Sequence, residues 1–249
     1  MSSSPRLCTH TPAPGGYVPP VRIVSLVPSL TEAVAVSAPG LLVGATAWCT
    51  HPPDLDVRRV AGTKNPDVAA VVALAPDLVL ANEEDNRPAD LEALRAAGLE
   101  VDVTRIRTVT EGLAELRRVL ARLGTAPGWL DEAEQVWSSS YDGVRRTAVV
   151  PIWRRPWMAV GSDTFTGDVL ARLGVDNVLA ESPERYPRFD PDELPPHDLV
   201  VLPDEPYAFA PDDGPEAFRA VSRCVSGRHL TWYGPSLVEA RTVLTAQLG

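Results

Sequence analysis

Residues 125–146 read TAPGWLDEAEQVWSSSYDGVRR, and the rest of the chain is arranged on either side of them. Thr125 offers a side-chain oxygen to the free amides of a helix start, and Pro127 is tolerated in a first turn. Asp131 and Glu132 lie toward the positive end of the helix dipole, and Arg145 and Arg146 toward the negative end. Trp129, Leu130, Ala133, Val136, Trp137, Tyr141 and Val144 recur every three or four residues, as one apolar helix face does. A helix over Thr125–Arg146 would span roughly 30 Å, enough to cross a domain.

Similar segments flank this stretch. Before it stand RIVSLVPSLTEAVAV (Arg22–Val36) and DLVLANEE (Asp77–Glu84); after it stand PWMAVGSDTFTGDVLARLG (Pro156–Gly174) and DLVVLPDE (Asp198–Glu205). Each half opens with an apolar strand, a polar turn holding Ser or Thr, and a helix. Each later repeats an Asp-Leu-Val strand ending in acidic residues. The first half alternates strands at Val21–Val27, Leu41–Ala47, Asp77–Ala81 and Glu100–Thr104 with helices at Val68–Leu74, Pro88–Ala97 and Thr110–Leu123. A further helix opens after Val27, with Ser29 as its cap and Glu32 completing a capping box. The second half places strands at Thr147–Ile152, Trp157–Val160, Asn177–Ala180 and Leu199–Leu202, with His229–Leu230 in another. Its helices fall at Phe165–Leu173, Pro215–Val221 and Ser236–Leu248. Strands alternating with helices imply an α/β fold of mostly parallel sheets. The expected organisation is a flexible tail (1–20), an N-terminal lobe (21–124), a connecting helix (125–146) and a C-terminal lobe (147–249).

The 249 residues carry a formal charge of −10, which argues against nucleic acid and anionic membranes as partners. No apolar run is long enough to cross a bilayer. Three cysteines, Cys8, Cys49 and Cys224, make no disulfide framework. The first twenty residues hold no secretory apolar segment. The direct reading is therefore a reduced, cytoplasmic protein, or an extracytoplasmic one if the start codon is misassigned.

In open α/β sheets, ligands bind beyond the carboxyl ends of the strands. There the chain places Ser29, Trp48, Thr50, His51, Asn82 and Glu83 in the first half. The second half places Trp153, Trp157, Asp163, Thr164, Phe165, Glu205, Tyr207, Phe209, Trp232 and Tyr233. Four of the six tryptophans fall in or beside these loops, which suits a large, flat, partly polar ligand. The duller reading is that each loop Trp covers its own lobe's core. His10, His51, His197 and His229 show no zinc spacing, and His51 is a weak metal candidate. No P-loop, H-E-x-x-H or G-x-S-x-G motif is present. With no nucleophile and base standing out, a binding protein is favoured over an enzyme.

RIVSLVPSLTEAV, GATAWCTHPPDL (Gly44–Leu55), ALAPDLVLANEE (Ala73–Glu84) and IWRRPWMAVGSDTFTGDVLARLGVDNVLA (Ile152–Ala180) together resemble vitamin B12 substrate-binding proteins of ABC importers. More broadly they resemble the helical-backbone metal-chelate receptors, of class III periplasmic-binding-protein fold. The resemblance implies two Rossmann-like lobes joined by one long backbone helix. It implies a metal chelate, cobalamin or a related corrinoid first and haem or a ferric siderophore second, held between the lobes with no cofactor required. Ser29, Trp48, Trp153, Trp157, Phe165, Tyr207 and Trp232 would line the cleft, and Glu83 or Glu84, with Glu205, would dock an ABC permease. The chain would act as a monomer, with no nucleic acid and no membrane insertion. The alternative is an intracellular enzyme recruited from this fold, with Asp163, Glu205 or His51 as acid or base.

Overall fold

The computed structural model describes residues 21–249, so the expected tail and Cys8 lie outside the described residues. Five short strands, β1 (Ile23–Ser25), β2 (Leu42–Ala45), β3 (Arg58–Arg59), β4 (Leu78–Asn82) and β5 (Val101–Thr104), form one parallel sheet in the order β3-β2-β1-β4-β5. β1 is central, with Ser25 opposite Ala45 on one side and Leu80 on the other. The chain winds outward in both directions from it, so the strand order reverses at β1. β1 and β4 are buried throughout, which explains their unbroken apolar runs. Helices α1 (Pro28–Ser37), α2 (Val68–Ala73), α3 (Pro88–Ala96) and α4 (Val109–Arg122) supply the crossovers.

Next in the chain comes α5 (Gly128–Trp137), and then a second parallel sheet. β6 (Arg146–Val149), β9 (Val175–Asn177), β10 (Leu199–Pro203) and β11 (Val221–Val225) lie in the order β11-β10-β6-β9. An antiparallel pair, β7 (Pro151–Arg154) and β8 (Trp157–Ala159), extends from β6. α6 (Phe165–Arg172), α7 (Gly227–Thr231) and α8 (Leu237–Leu248) complete the chain. The α/β architecture with parallel sheets expected from the sequence is present. None of the helices among the described residues is long and apolar enough to cross a membrane.

The connecting helix is shorter than expected: ten residues rather than twenty-two, so roughly 15 Å long. Ser138 ends it by turning its hydroxyl back to the Gln135 carbonyl at 2.8 Å. Serine side chains compete in this way with the helical ladder, and a run of three of them stops it. Tyr141 and Val144 therefore leave the apolar face, and Val144 is 87 % exposed. The short helix still bridges the halves through its two tryptophans. Trp129 donates its indole N–H to Ser37 Oγ of α1 at 2.9 Å, and Trp137 donates to the Leu237 carbonyl of α8 at 2.8 Å. One apolar core runs through from Val27 and Leu30, past Leu116, Leu120, Leu130 and Ala133, to Val169, Leu170 and Leu244.

Three other expectations are corrected. Ser29 does not cap α1: Val27 holds the extended cap position, and Ser29 sits inside the first turn without a cap bond. The capping box belongs instead to α4, between Thr108 and Glu111. His229–Leu230 are helical, in α7, and Pro215–Val221 is not a helix but a brief 3-10 turn running into β11. β11 forms because Val221–Val225 finds a partner in β10, with Leu199 opposite Val221 and Pro203 opposite Val225. Such tertiary pairing outweighs local preference.

Candidate functional site

The carboxyl ends of both sheets face a shared seam. On the N-terminal side, the loop after β2 presents Trp48, which is 60 % exposed. Its neighbour Cys49 is buried and receives the Thr31 hydroxyl at 3.0 Å. Arg59 fastens the loop from behind, donating to the carbonyls of Cys49 at 2.9 Å and Leu55 at 3.0 Å. Thr50 Oγ1 and His51 Nδ1 lie 3.1 Å apart. The His51 ring meets Trp232 of the C-terminal lobe edge-on, with centroids 5.4 Å apart and planes at 88°. Burial first, and then the Arg228 charge, lower the His51 pKa and favour the neutral imidazole.

On the C-terminal side, β10 delivers Asp204 and Glu205. Asp204 Oδ1 accepts the Gly227 amide at 2.6 Å. A side chain at Gly227 would come within 2.3 Å of Glu205 Cγ, so glycine lets the two segments touch. Glu205 Oε1 is shut from solvent and finds no hydrogen-bond partner among the described residues. Burial, reinforced by the Asp204 charge, raises the Glu205 pKa to about 7, while the Trp232 indole works in the opposite direction. The folded state thus holds a proton on Glu205 that the unfolded chain releases at lower pH, so this residue lowers stability as pH rises from about 4.5 to about 7. The expected result is that Glu205→Gln is near neutral at pH 5 and stabilising by about 1–2 kcal/mol at pH 8, measured by urea unfolding at both values.

Between these loops the lobes are drawn together by charge. Arg107 is ion-paired with Glu83 and reaches Asp163 across the seam at 3.3 Å. Arg185 bonds Glu84 at 2.7 Å and the Asp163 carbonyl at 3.0 Å. Farther along, Arg228 of α7 pairs with Glu32 of α1 and with Glu239 at 3.3 Å. Tyr233 fills the middle: its amide donates to Ser29 Oγ at 3.3 Å and its ring meets Phe165 at 5.7 Å. Its buried hydroxyl, set near Asp85 and Thr104, has no hydrogen-bond partner at normal geometry among the described residues.

The residues singled out from sequence therefore divide. Thr50, His51, Glu205 and Trp232 gather around one mouth of the seam, and exposed Trp48 stands on the same loop three residues before His51, its indole toward Gly62. Ser29, Asp163 and Phe165 lie within it. Asn82 is turned inward: it bonds Thr104 Oγ1 and accepts the Glu84 amide, shaping the turn that aims Glu83 and Glu84. Trp157 and Phe209 stack on each other at 6.0 Å in a separate core of the C-terminal lobe, with Tyr207 4.6 Å from Phe209. Trp153 meets Tyr207 edge-on and remains 43 % exposed. Glu32, Arg107, Arg185 and Arg228 carry no signal of this pairing in the sequence, because a charge that pairs across lobes leaves no local pattern. Among the described residues no group of three His, Cys, Asp or Glu side chains could hold a metal ion, which leaves His51 without companions. Two surface concavities of about 440 and 450 Å³ lie on the C-terminal lobe, and none of the residues above lines either.

No family model matches the chain. A curated relative from Pectobacterium carotovorum, named vitamin B12-binding protein, is 24 % identical over 200 residues, covering 76 % of this chain and 70 % of its own. Another so named, from Photorhabdus laumondii, is 26 % identical over 187 residues, covering 72 % and 68 %. Among solved structures, the periplasmic vitamin B12 binding protein of Vibrio cholerae superposes with TM-score 0.72 at 20 % identity over 91 % of this chain and 96 % of that one. A periplasmic heme binding protein from Pseudomonas aeruginosa gives 0.74 at 22 %, over 91 % and 92 %. The resemblance to B12 and metal-chelate receptors thus holds in sequence, and the helical-backbone binding-protein architecture holds in fold. The cytoplasmic expectation is corrected: the solved neighbours are named periplasmic, which points to an extracytoplasmic setting.

Proposed function

We propose that the chain binds one metal chelate, a corrinoid in first place, in the seam between its lobes, and delivers it as the substrate-binding component of an importer. The lobes are residues 21–124 and 147–249, with α5 as the rigid link. The observation that carries the reading is the meeting of His51 and Trp232 across the seam, with exposed Trp48 on the His51 loop, at the ends where both parallel sheets point. The names of the relatives supply the ligand class. The seam is held shut by pairs such as Arg185–Glu84 and Arg107–Asp163. Their carboxylates are partly exposed, so each pair contributes about 1 kcal/mol or less, and a ring entering the seam can part them.

An ABC permease is the partner this reading implies. Of the three carboxylates proposed to dock it, Glu83 keeps its side chain 38 % exposed, whereas Glu84 is turned to Arg185 and Glu205 is half-buried with one oxygen shut from solvent. An enzymatic reading has one feature in its favour, the row Ser226–His229–Glu239, with contacts of 2.7 and 3.0 Å. The Gly227 amide that would stabilise an oxyanion there is already bonded to Asp204, and Arg228 shares Glu239, so the row reads as a helix-end brace.

The test is a titration of tryptophan fluorescence with cyanocobalamin, haemin and a ferric siderophore. Saturable quenching by one equivalent of at least one chelate is expected, and Trp48→Ala should weaken it about tenfold, the loss of one large aromatic contact. No quenching by any of the three would refute the proposal.

A further inference from the structure

The charge around the seam is unbalanced, and the imbalance selects among chelates. Four arginines reach it, and carboxylates already hold each one: Arg105 and Arg107 with Glu83, Arg107 also with Asp163, Arg185 with Glu84, Arg228 with Glu32 and Glu239. The other nearby cations are turned to backbone carbonyls, Arg59 to those of Cys49 and Leu55, and Lys64 to that of Glu84. On the opposite side of the account stand acidic oxygens with nothing to bond. Glu205 Oε1 and Glu32 Oε2 are both shut from solvent and have no partner among the described residues, although the Trp232 indole approaches the Glu205 carboxylate and Arg228 holds the other Glu32 oxygen. Asp204 lies next to Glu205, and Asp85 lies beside Tyr233.

Buried acceptors without donors call for a donor from outside, because each costs about 1–3 kcal/mol while it is unpaired. A chelate edged with carboxamides brings N–H donors and no charge. A chelate edged with carboxylates brings acceptors and negative charge to a place that already has too many of both. Resting on the reading of this seam as a chelate site, we propose that Glu205 is its specificity residue: it accepts a hydrogen bond from an amide on the ligand's edge, and with Glu32 and Asp204 it repels ligands carrying carboxylate arms. Glu205 suits the task by position. It follows β10 directly, touches the α7 start at Gly227, and stands beside the Trp232 ring that reaches His51. Specificity of this kind comes as much from repelling the wrong ligand as from holding the right one.

The test, run at pH 8.5 where Glu205 is ionised in the folded chain, titrates wild type, Glu205→Gln and Glu205→Ala with cyanocobalamin, whose ring edge bears carboxamides, and with haemin, whose edge bears carboxylates. Visible absorbance is the readout, at low and at moderate salt. Wild type should bind cyanocobalamin at least about tenfold more tightly than haemin. E205A should weaken cyanocobalamin about tenfold, the loss of one charge-assisted hydrogen bond. E205Q, which keeps the shape and removes the charge, should strengthen haemin several-fold, and added salt should narrow the wild-type gap. Haemin binding wild type as tightly as cyanocobalamin, or E205Q leaving the ratio unchanged, would overturn the assignment while leaving the chelate-binding reading intact. Failure of wild type to bind either compound, and a ferric siderophore as well, would remove the reading itself. If E205A does not fold, the isosteric E205Q carries the comparison.

Discussion

Replacing Trp137 with alanine is expected to lower the unfolding free energy by about 4 kcal/mol. This residue closes α5 and lies fully inside the core shared by the two lobes. Deleting so large a buried ring leaves a cavity that the surrounding helices fill incompletely, and such losses run to about 3–5 kcal/mol. The same change strands the Leu237 carbonyl, which accepts the indole N–H, and removes the ring beneath Arg241. For a chain of this size the melting temperature should fall by about 10 °C. Trp137→Phe refills most of the space and loses only the hydrogen bond, so about 1–2 kcal/mol is expected. Urea unfolding of the pair measures both. If alanine cost no more than phenylalanine, the ring would not be joining α5 to α8.

The second large effect lies at the Glu32–Arg228 pair. Glu32 sits on α1 with its side chain 5 % exposed, and Arg228 reaches it from α7 in the other lobe. Arg228→Ala leaves that carboxylate buried beside an unpartnered oxygen of its own, and removing one member of such a pair costs about 3 kcal/mol. Glu32→Gln in the Arg228→Ala background should recover at least half of the loss, because the neutral amide needs no counter-charge. The single variants and the double variant form a thermodynamic cycle read by chemical unfolding. Additive losses would mean that the pair does not hold the lobes together.

These two sites also show which features sequence makes visible. The spacing of Trp129 and Trp137 puts them on one apolar face, and in the structure they lie eight residues apart on α5, tied to opposite lobes. The charged ends and the periodicity continue through Arg146, past the helix end at Trp137, because three serines that divert the hydrogen-bond ladder carry little weight in a pattern of apolar residues. β11 is the opposite case: Val221–Val225 becomes a strand because pairing with β10 outweighs its local preference. At the seam, residues at the ends of strands could be named in advance, since topology places them there. Which aromatics face outward could not be. Trp48 is exposed, whereas Trp157 and Phe209 stack in a core built by loops that arrive from distant parts of the chain. The arginines that close the seam join residues as far apart as Glu32 and Arg228, and separations of that kind leave no trace in a window of neighbours.

The proposed function requires a chelate lying between the lobes. Crystals grown with cyanocobalamin, measured at the cobalt absorption edge, locate the metal without reference to any assumed pose. One anomalous peak between the Trp48–His51 loop and the Glu205–Trp232 wall is the predicted result. A peak elsewhere, such as beside the outer strand β11 or in the concavity near Met158 and Tyr186, would contradict it.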